Sequence, residues 1–151
     1  MVSCLRKWLI IWLLRCLSFI RNVAETNKQI VGKRGEEAAC AHLIALGYRI
    51  IDRNYWRKWG EIDIVAGRGS DLRFVEVKTV TRNHLANLGE DYEPEDNLHP
   101  WKRARLRRVI ATYLTDKNVS DDLDWQVDAL TVYLNPQGVV LKIEHLEDLL
   151  L

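Results

Sequence analysis

The pattern of apolar and polar positions predicts two helices and several short strands in one α/β domain. Small and apolar residues on all sides of residues 36–46 indicate a buried helix, which ends at Gly47. Pro100 opens a second helix, residues 101–114, at the first helical position, where proline fits best. β-Branched and aromatic runs predict strands at residues 48–54, 60–65, 73–78, 125–134 and 139–143.

Three polar or mixed segments separate or flank these elements. Residues 23–32 predict a linker, residues 81–99 predict a loop, and residues 144–151 predict a short docked helix. The predicted boundary therefore separates an N-terminal extension and linker, residues 1–30, from a domain of residues 31–151.

Residues 1–22 contain an apolar run, WLIIWLL at positions 8–14, preceded by two cations. The run is shorter than the roughly 20 apolar residues needed to span a bilayer, and no small-residue cleavage site of a signal peptide follows it. Two alternatives remain open for an amphipathic helix here. It can lie at a membrane surface as a peripheral contact, or it can pack on this domain or on the second subunit of a homodimer.

Composition limits the number of domains, the location and the possible metal sites, but it does not indicate a function. The chain has 151 residues, enough for one domain with its own core. Its 22 lysines and arginines nearly balance 21 aspartates and glutamates, so any attraction to phosphate must be local. Three cysteines without a Cys-x-x-Cys pair favour a reducing, cytoplasmic location. The four histidines lack the spacing of a zinc site.

Three charged residues interrupt the hairpin predicted for residues 60–78. A turn centred between Gly69 and Ser70 places Asp63 opposite Glu76, and Lys78 shares the face of Glu76. Two carboxylates on adjacent strands repel each other unless positive charge lies between them. The lysine amine and a divalent cation, Mg²⁺ or Mn²⁺, are the candidates. This arrangement suggests metal-assisted hydrolysis of phosphodiesters.

Cations and aromatic residues elsewhere are candidates for contacts with nucleic acid. Trp56, Arg57 and Lys58 lie in a basic, aromatic connection between two strands. They can stack on bases and hold phosphates, or they can form a rim of cations over the core edge. Lys102 lies on the apolar stripe of the second helix, so it must extend to solvent or meet an anion. Arg103 belongs to the charged remainder of that helix. The apolar stripe comprises Leu106, Val109, Ile110 and Tyr113.

Two further acidic positions have competing interpretations. Glu36 and Glu37 are near the predicted start of the first helix, where acidic residues favour the helix dipole. The alternative is that one of them points toward Asp63 and Glu76, but composition alone favours the dipole interpretation. Asp128, an acid in an apolar strand, is predicted to be a hydrogen-bonded structural residue and not a third metal ligand.

Several motifs in order resemble a known family. They are GKRGE at residues 32–36, GEID at 60–63, FVEVKT at 74–79 and the later helix that carries Lys102. Together they resemble the YraN family of small bacterial nuclease-like proteins, a branch of the PD-(D/E)xK nuclease superfamily similar to archaeal Holliday junction resolvases. The resemblance covers about residues 31–146. It implies a restriction endonuclease-like fold, with a central mixed β-sheet flanked by α-helices, and a metal-dependent endonuclease acting on DNA, including branched or single-stranded DNA.

The resemblance also implies roles for residues at matching positions. Asp63 and Glu76 would bind the metal, with the Val77 carbonyl contributing, Lys78 would be the catalytic lysine, and Glu36 would be the acid on the first helix. The carboxylates are expected to keep Lys78 protonated despite burial. Positioning of the nucleic-acid backbone would fall to Lys102, Arg103 and residues 56–59.

Other functions compete with this one. A nuclease-fold module can bind branched or single-stranded nucleic acid without cutting it, because a fold does not determine a function. An accessory protein tethered to a membrane through residues 1–22 is the second rival. The three hairpin charges can also form a purely structural ion-pair network.

Overall fold

The described part of the chain contains two helices and five strands. A computed structural model describes residues 25–83, 100–120 and 122–149. The elements are α1 (Asn27–Ala45), β1 (Arg49–Arg57), β2 (Gly60–Arg68), β3 (Asp71–Thr81), α2 (Pro100–Asp116), β4 (Asp124–Leu134) and β5 (Val140–Leu146). The predictions for residues 1–22 and for most of the loop at 81–99 lie outside the described residues. Neither helix of the described ranges is long and apolar enough to cross a membrane.

The five strands form one mixed sheet in the order β1-β2-β3-β4-β5. β3 and β4 are parallel, and the other neighbours are antiparallel. Parallel neighbours need a long crossover connection, and α2 lies within the one that joins β3 to β4. This α/β architecture confirms the predicted fold class, a central mixed sheet flanked by helices as in restriction endonuclease-like domains.

Each helix covers one face of the sheet. The predicted apolar stripe of α2 is buried, and it packs with residues such as Val65 and Phe74 from the middle strands. On the opposite face, Leu43 of α1 packs with residues such as Val75 and Leu130. β3 and β4 therefore contribute side chains to both cores, because successive side chains of a strand point to opposite faces of the sheet.

The hairpin forms with the predicted register. Arg68 pairs with Asp71, so the turn is centred between Gly69 and Ser70. Gly69 has a φ of 61°, a left-handed conformation that glycine adopts without strain. The pairing runs as far as Ile64 with Val75. Asp63 and Glu76 occupy the next position, at the end of the paired stretch.

Helix α1 begins earlier than predicted. It starts at Asn27, with Thr26 as its N-cap, so the prediction of a linker over residues 23–32 is wrong for residues 27–32. Thr26 and Gln29 form a capping box, in which each side chain bonds the other's backbone N–H. The Thr-x-x-Gln pattern that signals such a cap lies in a polar stretch. Because the stretch is polar, its composition predicted a linker and not the start of a helix.

Two strands are also longer than predicted. β1 continues to Arg57, so only Lys58 and Trp59 remain in the turn before β2, and the predicted connection over residues 55–59 is wrong. β5 continues to Leu146 and residues 147–149 are not helical, so the predicted helix over residues 144–151 is wrong for residues 144–149. In both places pairing with a neighbouring strand satisfies backbone groups of a segment whose own pattern is mixed.

Asp128 is a structural residue, as predicted. Its carboxylate is fully buried and accepts hydrogen bonds from Gln126 Nε2 and the Asp148 backbone N–H, both at 3.0 Å. It also lies 3.5 Å from Arg73 Nη1 and 2.9 Å from His145 Nε2. The carboxylate thereby ties the segment after β5 to the sheet.

α1 approaches β3 most closely at Gly35. A Cβ atom built on Gly35 would lie 1.8 Å from Thr79 Oγ1. A Cβ built on Gly32, one turn earlier, would meet no atom within 4 Å. Gly32 can therefore be replaced by a residue with a Cβ atom without a clash. Gly35 cannot, and its contact with Thr79 sets the distance between α1 and the sheet.

We predict that Gly35→Ala destabilises the fold and that Gly32→Ala does not. Overpacking costs roughly 1–3 kcal/mol, whereas alanine in place of glycine inside a helix gains about 0.5–1 kcal/mol. The free energies of unfolding in urea measure the difference, with Gly32→Ala as the matched control. Equal unfolding midpoints for the two variants would contradict the proposed close contact.

Candidate functional site

A cleft of about 1030 Å³ lies between the N-terminal half of α1 and the strands β1, β2 and β3. We call it the central cleft. The residues that line it from α1 and the segment before it are Glu25, Lys28, Gln29, Val31, Gly32, Lys33 and Glu36. Those from the sheet are Arg53, Asn54, Glu61, Asp63, Glu76, Val77, Lys78 and Thr79. The cleft thus brings together the four predicted catalytic residues, Glu36, Asp63, Glu76 and Lys78.

Asp63 is the partly buried acid at the base of the central cleft. Its Oδ2 atom accepts the Val77 backbone N–H at 2.7 Å, just beyond the last pair of β2 and β3. The N–H and C=O groups of one residue in a strand point to the same side. The Val77 carbonyl therefore lies on the side of β3 that faces Asp63, which makes it available as an oxygen ligand.

The environment of Asp63 opposes its negative charge. Burial and, second to it, the charge of Glu76 raise the pKa of its carboxyl group to about 7, and the hydrogen bond from the Val77 N–H offsets only part of this rise. Glu36 and Glu61 act in the same direction as Glu76. A carboxylate pair under this repulsion is stabilised by any cation that comes between its members.

Glu76 already has one positive partner. Lys102 Nζ donates to Glu76 Oε1, so the lysine on the apolar stripe of α2 meets an anion, one of its two predicted outcomes. The ion pair joins α2 to β3 across the edge of the central cleft. Lys102 is therefore engaged within the protein, and its predicted contact with nucleic acid stays a prediction.

Lys78 lines the central cleft beside the two acids. Burial lowers the pKa of its amine, and the positive charge of Lys102 lowers it further. The charge brought by α2 was not visible from the hairpin alone, and the prediction that the carboxylates keep Lys78 protonated stays a prediction. A lower pKa brings the amine closer to the range in which it exchanges a proton near neutrality.

Glu36 enters the cleft from the middle of α1. Because α1 begins at Asn27, the preferred interpretation of Glu36 and Glu37 as first-turn acids is wrong, and the alternative describes the position of Glu36. Asn54 Nδ2 donates to Glu36 Oε2 at 3.1 Å, and Arg53 Nη2 lies 3.7 Å from the same atom. These contacts hold the carboxylate at the cleft wall.

Arg53 and Asn54 are functional candidates that the sequence did not reveal. The pairing of β1 with β2 passes from Arg53 with Ile64 to Tyr55 with Ile62, and Asn54 stands across from Asp63 between these pairs. Asn54 has a φ of 52°, a left-handed conformation that asparagine tolerates better than most residues. An asparagine inside a β-rich run is the signal that was available.

The other four predicted nucleic-acid contacts, like Lys102, do not line the central cleft. Arg57 forms an ion pair with Asp116 at the end of α2, and its guanidinium lies 4.2 Å from the centre of the Tyr55 ring. Lys58 lies over the Trp59 ring. Trp56 is an exposed residue of β1. Arg103, next to Lys102 on α2, is half-buried and does not line the cleft.

A smaller cavity of about 240 Å³ adjoins the central cleft. We call it the side pocket; it is lined by Gly60, Glu61, Glu76, Trp101, Lys102, Arg105 and Leu106. Glu61 and Glu76 line both cavities, so the two spaces meet at the acidic site. Trp101 was not singled out from the sequence, although an aromatic residue beside cations was the available signal.

The oxygen atoms around Asp63 fit a hard divalent cation. Two carboxylates and a backbone carbonyl form the kind of donor set that Mg²⁺ takes, with its remaining positions filled by water or substrate oxygen atoms. Within residues 25–83, 100–120 and 122–149, no three His, Cys, Asp or Glu side chains form a larger metal-binding group. The candidate ligands are therefore Asp63, Glu76 and the Val77 carbonyl.

Sequence comparison assigns the family. The profile of the uncharacterised protein family UPF0102 matches residues 35–132. The chain belongs to this family. UPF0102 is the YraN family, so the resemblance carried by the motifs is confirmed. The matched range contains Glu36, Asp63, Glu76, Lys78 and Lys102.

Relatives in several bacteria cover most of the chain. The UPF0102 protein of Geobacter sulfurreducens is 39% identical over 121 residues, which are 80% of this chain and 88% of the relative. That of Moorella thermoacetica is 37% identical over 113 residues, 75% of this chain and 88% of the relative. That of Wolinella succinogenes is 39% identical over 99 residues, 66% and 82% of the two chains. These family names state no reaction, so the chemistry has to be derived from the central cleft.

We predict that Asp63→Asn stabilises the protein more at pH 8 than at pH 5. The folded-state pKa near 7 lies above the usual 3.8. Between these values the folded protein keeps a proton that the unfolded chain releases, so wild-type stability falls as pH rises through that window. At about 1.4 kcal/mol per pKa unit, the variant gains on the order of 2 kcal/mol between the two pH values.

Urea unfolding in the presence of a chelator measures this gain. Glu37→Gln is the control, because Glu37 is an exposed carboxylate on the same helix as Glu36, and its substitution should leave the pH dependence of wild type. An identical pH dependence for wild type and Asp63→Asn would show that Asp63 titrates normally.

Proposed function

We propose that the protein is a metal-dependent nuclease, an endonuclease of the PD-(D/E)xK type that hydrolyses phosphodiester bonds in DNA. The observation that carries the proposal is the raised pKa of Asp63 beside Glu76, in the same cleft as Lys78. One cleft therefore holds two acids that repel each other and an amine with a lowered pKa. Metal-assisted hydrolysis of phosphodiesters uses groups of this kind.

Asp63, Glu76 and the Val77 carbonyl would hold Mg²⁺ or Mn²⁺. When bound, such an ion polarises the scissile phosphate and lowers the pKa of an attacking water. The Val77 N–H keeps Asp63 in a fixed orientation by its hydrogen bond. The protein's contribution to metal binding is to hold the Asp63 and Glu76 side chains close together where the pairing of β2 and β3 ends, so that neither can rotate away freely.

Lys78 would stabilise the charge that develops during attack. Its ammonium group can donate hydrogen bonds to a non-bridging phosphate oxygen or orient the attacking water. Because its pKa is lowered, the same group is also better suited to transfer a proton near neutral pH than an ordinary surface lysine.

Glu36 would hold a water on the α1 side of the cleft. Its carboxylate is oriented by Asn54 and Arg53. The close packing of Gly35 on Thr79 sets how far this carboxylate lies from β3. In the proposed reaction Glu36 positions solvent and does not contact the phosphate itself.

A second candidate function is binding of nucleic acid without cleavage. The observation that favours it is the ion pair between Lys102 and Glu76, which neutralises one of the two acids without a metal ion. A membrane-tethered role through residues 1–22 concerns a segment outside the described residues.

We predict that Mg²⁺ or Mn²⁺ raises the melting temperature of wild type but not of Asp63→Asn. At ten times the dissociation constant a bound ligand adds about 1.4 kcal/mol, which corresponds to roughly 3–6 °C for a domain of this size. Thermal unfolding with and without each ion measures the shift, and Glu37→Gln should respond as wild type does. An equal shift in Asp63→Asn would place the ion elsewhere.

We also predict metal-dependent cleavage of labelled single strands, flaps or four-way junctions. Asp63→Ala and Lys78→Ala should each reduce the rate about a hundredfold or more, as expected when a group that stabilises the transition state is lost. Gel analysis of the products measures the rates. If wild type yields no product with any substrate while Lys78→Ala still binds them, the binding-only function replaces the nuclease.

A further inference from the structure

The side pocket offers a flat aromatic surface next to the acidic site. Trp101 is 56% exposed and lies in the first turn of α2. Its indole lines the same small cavity as Glu61 and Glu76, which also line the central cleft. Anything seated against Trp101 is therefore directly beside the position proposed for the scissile phosphate.

Two cations, Lys102 and Arg105, line the side pocket together with Trp101. Arg105 lies with its guanidinium carbon 5.7 Å from the centre of the Trp101 ring, and its Nε donates to the Trp59 carbonyl at 2.9 Å. Arg108 lies 4.7 Å from the centre of the Trp59 ring. α2 has no acidic residue in its first turn. The two acids of the side pocket, Glu61 and Glu76, come from the strands, and Glu76 is paired with Lys102. A phosphate next to a base stacked on Trp101 would meet the guanidinium group of Arg105, which these contacts hold in place.

Stacking on Trp101 requires an unpaired base. The side pocket has about 240 Å³, against about 1030 Å³ for the central cleft. An aromatic side chain stacks on the face of a base, and that face is covered by neighbouring base pairs inside a duplex. A base can reach the Trp101 ring only after it has left the stack or where it was never paired.

We propose that the side pocket binds an unpaired nucleobase stacked on Trp101, next to the phosphodiester in the central cleft. The substrates are then single strands, flaps and the unpaired positions of branched DNA, and continuous duplex is excluded. This choice of substrate rests on the proposed nuclease function, whereas the stacking of the base does not. Arg105 holds the adjacent phosphate, and Trp101 selects for strands that lack a partner.

The test uses the full chain and a deoxyoligonucleotide that contains 2-aminopurine, whose fluorescence falls when it stacks on an aromatic ring. Titrations in EDTA measure binding without cleavage. Wild type should quench the single strand and not the matching duplex. Trp101→Ala should weaken single-strand binding about 5- to 150-fold, the range for loss of one stacked base, and Trp101→Phe should recover most of it.

Trp125→Ala is the matched control. Trp125 is also a half-exposed tryptophan, 45% accessible, but it pairs with Leu72 of β3. That position is four residues from Glu76, roughly 13 Å along the strand. Its substitution should leave both the quenching and the affinity for single strands unchanged.

The outcomes separate this inference from the proposed nuclease. Equal affinity of Trp101→Ala and wild type, or equal quenching of duplex and single strand, would overturn the base pocket. Cleavage of duplex and single strand at the same rate, with Trp101→Ala as fast as wild type, would overturn it and still support the nuclease. Quenching that depends on Trp101, without cleavage of any substrate by wild type, would support the pocket and refute the nuclease.

Discussion

The hydrogen bond from the Val77 N–H to Asp63 lies where the pairing between β2 and β3 ends. It holds a carboxylate in a position where burial and the charge of Glu76 both oppose ionisation. The geometry of the site depends on this unfavourable placement. If the pairing of β2 and β3 did not end here, the Asp63 carboxylate would have no backbone N–H donor. If the site were not buried, Asp63 and Glu76 would be an ordinary pair of surface acids.

The two helices bring charges of opposite sign to that point. α1 carries Glu36 into the cleft, which Gly35 permits by packing directly on Thr79. α2 carries Lys102, which donates to Glu76 and whose positive charge adds to the effect of burial in lowering the pKa of Lys78. The site is thus assembled from three separate elements of the fold. Its electrostatics follow from how closely each helix packs on the sheet.

The sequence predicted much of this arrangement but did not reveal the residues that orient the acidic side chains. The hairpin acids, Lys78 and the burial of the α2 stripe followed from alternation, turn residues and helical spacing, which are local properties. The polar stretch before Glu36 did not indicate that α1 begins at Asn27, so the pattern predicted Glu36 in the first turn. Arg53 and Asn54 could not be found from spacing, since their role depends on a backbone irregularity across from Asp63.

The sequence by itself determined the family, the fold class and the register that sets Asp63 beside Glu76, because Gly69 and the two-residue period of a strand act over a few residues. Only the tertiary structure decided the ionisation of the site and the neighbouring side pocket. Both depend on side chains that are far apart in sequence, such as Lys102 and Trp101, and on the low polarity created when the helices close over the sheet. No local pattern contains that information.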